Sequence, residues 1–228
     1  MLRCIILAFS FGIVLVPEVT SAQDQTEIII ENGSWVNAQL YPFERWYDGK
    51  AVLESGDTII AKIRLLQTVG KKSGQYDLAK DSIQVLVSQT IQPYSARKIP
   101  YFEIFDSREK RQRQFYSMPF TTPKEYRSQI FFELLVEGKM TVLCREARAY
   151  RPDPKNFNLP YPVSLYHYFL LQEDGEVVDV KDTKSIWFDL MSSHEEEIRK
   201  YAKENKLDYK KKYDLASIVE YYNSLFKK

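Results

Sequence analysis

Glycine is scarce, at 8 residues in 228, too few for the glycine-rich phosphate loops of a nucleotide-binding scaffold, and no Gly-x-Ser-x-Gly elbow marks a hydrolase nucleophile. Cysteine is scarcer still. Only Cys4 and Cys144 occur, and Cys4 falls in an export signal, so no intramolecular disulfide framework is expected to hold the mature fold. The two histidines, His167 and His194, stand 27 positions apart and do not make the clustered spacing of a zinc site. We therefore expect no metal and no cofactor. Charge of one sign is lacking too: 32 basic against 31 acidic residues leave +1, so no global field draws nucleic acid. The densest basic stretch, Arg108, Lys110, Arg111 and Arg113, is interrupted by Glu109 and follows Asp106, and reads as a solvated loop.

The N-terminus has the parts of a secretory signal. Arg3 precedes an apolar run from Cys4 to Val16, Pro17 ends it, and Thr20-Ser21-Ala22 sets small residues for cleavage before Gln23. Residues 1–22 read as a signal peptide, 23–180 as a β-rich domain and 181–228 as a helical C-terminal cap. No integral membrane segment is expected in the mature chain.

Aromatic residues are abundant, with Tyr 16, Phe 13 and Trp 3, and they favour half-buried sheet surfaces. From Trp35 to about Val180 apolar residues recur at period two. In Thr58–Leu65, Ile59, Ala61, Ile63 and Leu65 face one side while Lys62 and Arg64 face the other. Ile130–Val136 is apolar on both faces apart from Glu133 and reads as a central, doubly covered strand. Asp48-Gly49, Ser55-Gly56, Glu137-Gly138 and Asp174-Gly175 read as hairpin turns. The expected fold is α+β and mainly β: nine to eleven strands in an antiparallel hairpin meander forming a curved sheet or partly open barrel or sandwich. Asp106–Arg127 and the proline-rich Arg151–Pro162 interrupt the meander, and the second carries the chain across the sheet.

A two- to three-helix cap follows. A short helix near Ser185–Leu190 is expected to supply Ile186, Trp187 and Leu190 as its first contacts. A second, from about His194 to Glu204, follows a Ser193–Glu196 capping box and ends with Asn205 left-handed. In a third, begun by Asp214 as N-cap, Leu215, Ile218, Val219, Tyr222 and Leu225 form one apolar stripe. The hairpin Phe131-Phe132-Glu133-Leu134-Leu135-Val136-Glu137-Gly138-Lys139-Met140-Thr141-Val142-Leu143 and the terminal Tyr221-Tyr222-Asn223-Ser224-Leu225 resemble an uncharacterised family of small secreted β-rich proteins from Gram-negative bacteria. The resemblance implies an exported envelope protein, periplasmic or at the cell surface, and carries no catalytic residue with it.

Few residues could carry chemistry. A thiol nucleophile would need Cys144 beside His167 or His194, but its alternation with Met140 and Val142 reads as a small buried hydrophobe. Glu195, Glu196 and Glu197 suit a helix N-terminus. Glu103, Glu133 and Glu146 are sheet-borne carboxylates of the type a glycosidase pairs; Glu133, on an apolar strand, needs a cation, and Arg145 across the hairpin is the expected partner. Trp35, Tyr41, Phe43, Trp46 and Tyr47 offer flat rings for a glycan or small ligand, with Trp35, Tyr41, Trp46 and Tyr47 as the candidate contact residues. Tyr161, Tyr166, Tyr168 and Phe169 form a second aromatic group. The leading expectation is an exported, non-catalytic envelope protein acting by protein or surface contacts. A glycan-binding module is the alternative, and a Cys-dependent hydrolase a remote one.

Overall fold

The computed structural model describes residues 27–31, 34–38, 45–66, 81–121, 127–151, 161–181 and 183–226. The signal segment 1–22, Tyr41, Phe43 and most of the proline-rich connection lie outside them, and of Trp35 and Tyr161 only the backbone is described. Twelve strands make one antiparallel sheet: β1 (Glu27–Glu31), β2 (Ser34–Ala38), β3 (Tyr47–Val52), β4 (Thr58–Leu66), β5 (Ser82–Val87), β6 (Thr90–Ser95), β7 (Tyr101–Asp106), β8 (Arg111–Thr121), β9 (Arg127–Val136), β10 (Thr141–Arg151), β11 (Tyr161–Leu171) and β12 (Val177–Val180). Three helices follow, α1 (Lys184–Leu190), α2 (Glu195–Glu204) and α3 (Lys212–Ser224), with a single 3-10 turn at Ser192–His194 before α2.

The main path runs β1-β2-β10-β9-β8-β7-β3-β4-β5-β6, with β11 beside β10 and β12 beside β11. The order departs from a hairpin meander twice: β2 lies against β10, and after β6 the chain returns to lay β7 against β3. On a flat sheet the five interstrand spacings from β5 to β9 would span about 24 Å. Yet the Asp81 carboxylate, just before β5, accepts the Phe131 backbone N–H of β9 at 2.6 Å. The sheet therefore curls back on itself. Alternation sends Ala51, Ile63, Ile83, Val85, Phe102, Ile104, Phe115 and Phe131 into the curl. There Phe102 stacks on Phe115 at 4.5 Å and meets Phe131 edge-on at 5.0 Å. Burying each of these rings stabilises the fold by roughly 2–3 kcal/mol.

Strand β9 is covered on both faces, as its composition requires. Phe131 enters the curl, while Ile130 and Phe132 pack with Phe120, Leu143 and Phe169 on the opposite side. Three glycine turns stand where expected, with positive φ at Gly56, Gly138 and Gly175. The fourth does not: Gly49 lies inside β3, opposite Ala61 and Ile104. A Cβ there would stand 2.2 Å from the Glu103 carbonyl oxygen, so glycine serves a close approach of backbones rather than a turn.

Other expectations are corrected as well. The described residues hold twelve strands, against nine to eleven expected: β1 precedes Trp35, and Asp106–Arg127, far from breaking the meander, contains the long strand β8. Asp106 turns the chain there by accepting the Arg108 and Glu109 N–H groups. The proline-rich stretch joins neighbours, since β10 and β11 pair along their whole lengths from Arg151↔Tyr161 to Thr141↔Leu171; it does not carry the chain across the sheet.

In the cap, α1 begins where Thr183 accepts the Ile186 N–H, and Trp187 and Phe188 are its buried residues, whereas Ile186 and Leu190 are only half-buried. No capping box forms: His194, not Ser193, is the α2 N-cap, and its side chain makes no capping bond to the helix backbone. At the other end Lys206 takes the left-handed conformation expected of Asn205, because Leu207 N–H reaches the Ala202 carbonyl and Lys206 N–H the Lys203 carbonyl. Helix α3 starts at Lys212 with Lys211 as cap; Asp214 sits in its first turn and accepts the Asp208 N–H. The stripe Leu215, Ile218, Val219 and Tyr222 buries against Val142, Cys144 and Tyr168 of the sheet.

Candidate functional site

Two charged constellations stand out. The first is sealed between the curl and the cap. Arg113 of β8 gives Glu133 two hydrogen bonds, Nε at 3.0 Å and Nη2 at 2.6 Å, and reaches Glu146 at 2.8 Å and Asp106 at 3.4 Å. Lys212, the first residue of α3, donates to Glu133 at 2.8 Å and lies 3.5 Å from Glu146. Glu133 is 2% exposed, Lys212 4% and Arg113 5%. Burial alone would raise the Glu133 carboxyl, but the charges of Arg113 and Lys212 prevail and hold it at about 2. Lys212 shows the mirror image, burial opposing its charge and Glu133 overriding it, so its ammonium is held above the ordinary lysine value.

Glu133 does not pair with Arg145. The register shifts at Val142/Leu143, which sets Cys144 opposite Glu133 and turns Arg145 to the other face. There Arg145 binds Asp81 at 2.7 and 3.1 Å and donates to the Phe131 carbonyl at 2.9 Å. The Arg145–Asp81 pair thus serves both backbone groups of Phe131 just where the β9–β10 ladder ends.

The second constellation is an open groove of about 920 Å³ on the cap, bounded by α1, α2 and the segment joining α2 to α3. Phe188 and Tyr209 meet at 4.8 Å on its wall. The Arg199 guanidinium lies 3.5 Å over the Phe188 ring and is fixed there by Glu195, with Nε 2.7 Å from the carboxylate. Lys184 Nζ stands 5.6 Å from both rings. Lys203, Lys206 and Lys210 also line the groove, against the single acid Asp208, and make no ion pair among the described residues. The Tyr209 hydroxyl is buried with no hydrogen-bond partner among those residues. Burial pushes it up to about 12, offset in part by the charge of Arg199.

The expected site residues whose side chains are described do not gather at one place. Tyr47 pairs with Ile63 and packs against the curl interior, whereas Trp46 carries the Arg64 guanidinium over its ring at 4.6 Å. Cys144 is 0% exposed, and burial drives its thiol far up. His167 stands opposite Arg145 on β11, one position out of step with the thiol, and His194 Nδ1 lies 3.0 Å from Glu197. Glu133 and Glu146 come together through Arg113, while Glu103 sits apart on β7 with Lys50 at 3.0 Å. No group of three or more metal-binding side chains occurs among the described residues, and no helix among them is long and apolar enough to cross a membrane.

The groove escaped the sequence reading. Its signal was the lysine spacing at 203, 206 and 210, which resembles any solvated helix face until the left-handed turn at Lys206 folds the segment back over Phe188. The chain matches no known protein family, no curated protein and no solved structure.

Proposed function

We propose that this is an exported bacterial envelope protein that works by non-covalent contact and that the groove of the cap makes the contact. The observation that carries the reading is the pairing of an aromatic wall with lysines that outnumber the one acid, Asp208, and make no ion pair among the described residues. A protein surface usually interleaves its charges. Here one sign gathers around a concave apolar lining, the arrangement of a ligand site. The sealed cluster around Glu133 serves the fold: its groups pair with one another and hold the cap to the sheet. A photo-crosslinking side chain at Lys206, set beside one at Ser55 on the β3–β4 turn, tests this in cells that make the protein. A discrete adduct from the Lys206 position alone is expected; none, or the same pattern from both, overturns the reading. Sequencing of the exported protein should begin at Gln23.

The glycan-binding alternative draws support from the outside of the curl. Tyr101 and Tyr116 lie there with centroids 4.9 Å apart, the Tyr101 hydroxyl donates to Glu103, and Glu103 and Lys50 stand opposite one another in register. This reading expects glycan binding that is lost in both Trp46→Ala and Tyr101→Ala while the thermal midpoint is kept. Binding unchanged in both ends it.

A further inference from the structure

The groove's chemistry narrows its ligand. Its interior is apolar, from Phe188, Ala202, Leu207 and Tyr209, and its rim is cationic. Arg199 is already neutralised by Glu195 at 2.6 Å, so the charge left to attract a ligand comes from lysines. Lys203 and Lys206 bracket the last turn of α2, and Lys210 faces them from the connection to α3.

We propose that the groove seats a monomeric amphipathic anion of fatty-acid size, with its apolar body against Phe188, Leu207 and Tyr209 and its carboxylate among Lys203, Lys206 and Lys210. The argument is charge complementarity joined to shape. A neutral apolar ligand would leave three ammonium groups unanswered. An acidic peptide without an apolar body would leave the aromatic wall wet. A bilayer surface would meet a concave wall where docking calls for a convex one, and a space of about 920 Å³ suits a single small molecule.

The inference rests on the groove being the contact site, and its test is separable from that reading. Mature full-length protein is loaded with 1-anilinonaphthalene-8-sulfonate, an aromatic anion whose fluorescence reports binding, and then titrated with decanoate, decanol, polyglutamate or phosphatidylglycerol vesicles. Decanoate should displace the probe at least about tenfold more effectively than decanol, the worth of one charge-assisted hydrogen bond. The double variant Lys203→Glu/Lys206→Glu, at two exposed positions, should keep its thermal midpoint and bind decanoate at least about tenfold more weakly. Equal displacement by decanol, unchanged binding in the double variant, or displacement by vesicles or polyglutamate in place of decanoate overturns the proposal. If decanoate fails while the Lys206 crosslink forms in cells, the ligand class falls and contact through the groove stands; if the crosslink also fails, both fall.

Discussion

At the scale of single residues, Glu133 decides most. Its carboxyl is held at about 2 against an ordinary 4.5, a difference worth roughly 3 kcal/mol of stability. Because the folded value lies below the unfolded one, that stability is whole above about pH 4.5 and is lost as pH falls through about 2. Glu133→Gln should leave Arg113 and Lys212 buried with only Glu146 shared between them and cost about 3–5 kcal/mol at neutral pH. It should also flatten the acid limb of the stability curve; urea titrations at pH 7, 4 and 3 measure both, and an unchanged acid limb would refute the assignment. That Glu133 needs a cation was legible from its place on an apolar strand. Which cation was not, because a one-residue register shift at Val142/Leu143 turns Arg145 to the opposite face, and because Lys212 lies 79 positions away, beyond the reach of any local pattern. Cys144 follows the same logic of burial. It should resist thiol reagents at neutral pH in the folded protein and react once denaturant opens the core. Rapid native labelling would contradict its 0% exposure and would favour the hydrolase alternative.

At the scale of elements, the strands were readable because alternation is local, and their spatial order was not, because the curl is closed by contacts such as Asp81 to Phe131 that join residues 50 positions apart. Gly49 shows the limit well. Asp48-Gly49 has the composition of a turn, but the residue serves a neighbour, the Glu103 carbonyl, that arrives from a strand formed much later in the chain. The β9–β10 hairpin shows the converse. Gly138 was correctly read as its turn, yet its second role, leaving room for Asn223, belongs to the cap: a Cβ there would stand 2.6 Å from the Asn223 amide nitrogen. That amide accepts the Met140 N–H and donates to the Met140 carbonyl, both at 2.8 Å. Asn223→Ala should strand two buried backbone groups and cost about 2–4 kcal/mol. Asn223→Asp keeps the acceptor and loses the donor, so it should fall between Ala and wild type. Denaturant midpoints give the ranking, and an Asp variant no better than Ala would show that the amide does not bridge both groups.

At the scale of the whole molecule, the cap and the sheet are expected to unfold as one body. Helix α3 is tied at both ends, by Lys212 to Glu133 and by Asn223 to Met140, and between those ties Leu215, Ile218 and Val219 are 0% exposed against β10 and β11. Lifting it away would strip Glu133 of one of its two cations and open an apolar face that includes Leu135, Val142 and Cys144. Burying Leu215, Ile218 and Val219 contributes roughly 1.5–3 kcal/mol each, together comparable to the stability of an ordinary domain, so a state with the sheet folded and the cap free should be sparsely populated. The cap groove is consequently expected to keep one shape and to take a ligand without a folding step. Trp187 of α1 is 0% exposed and reports on the cap alone once Trp35 and Trp46 are replaced by Phe. In that background the loss of Trp187 fluorescence and of far-ultraviolet sheet signal in urea should coincide. Truncation before Lys212 should prevent the sheet from folding, because it leaves Glu133 short of a cation and the face beneath α3 exposed to water. A fluorescence transition that precedes the sheet signal, together with a truncated chain that still folds, would mean that the cap is an independent appendage and that its groove is able to change shape.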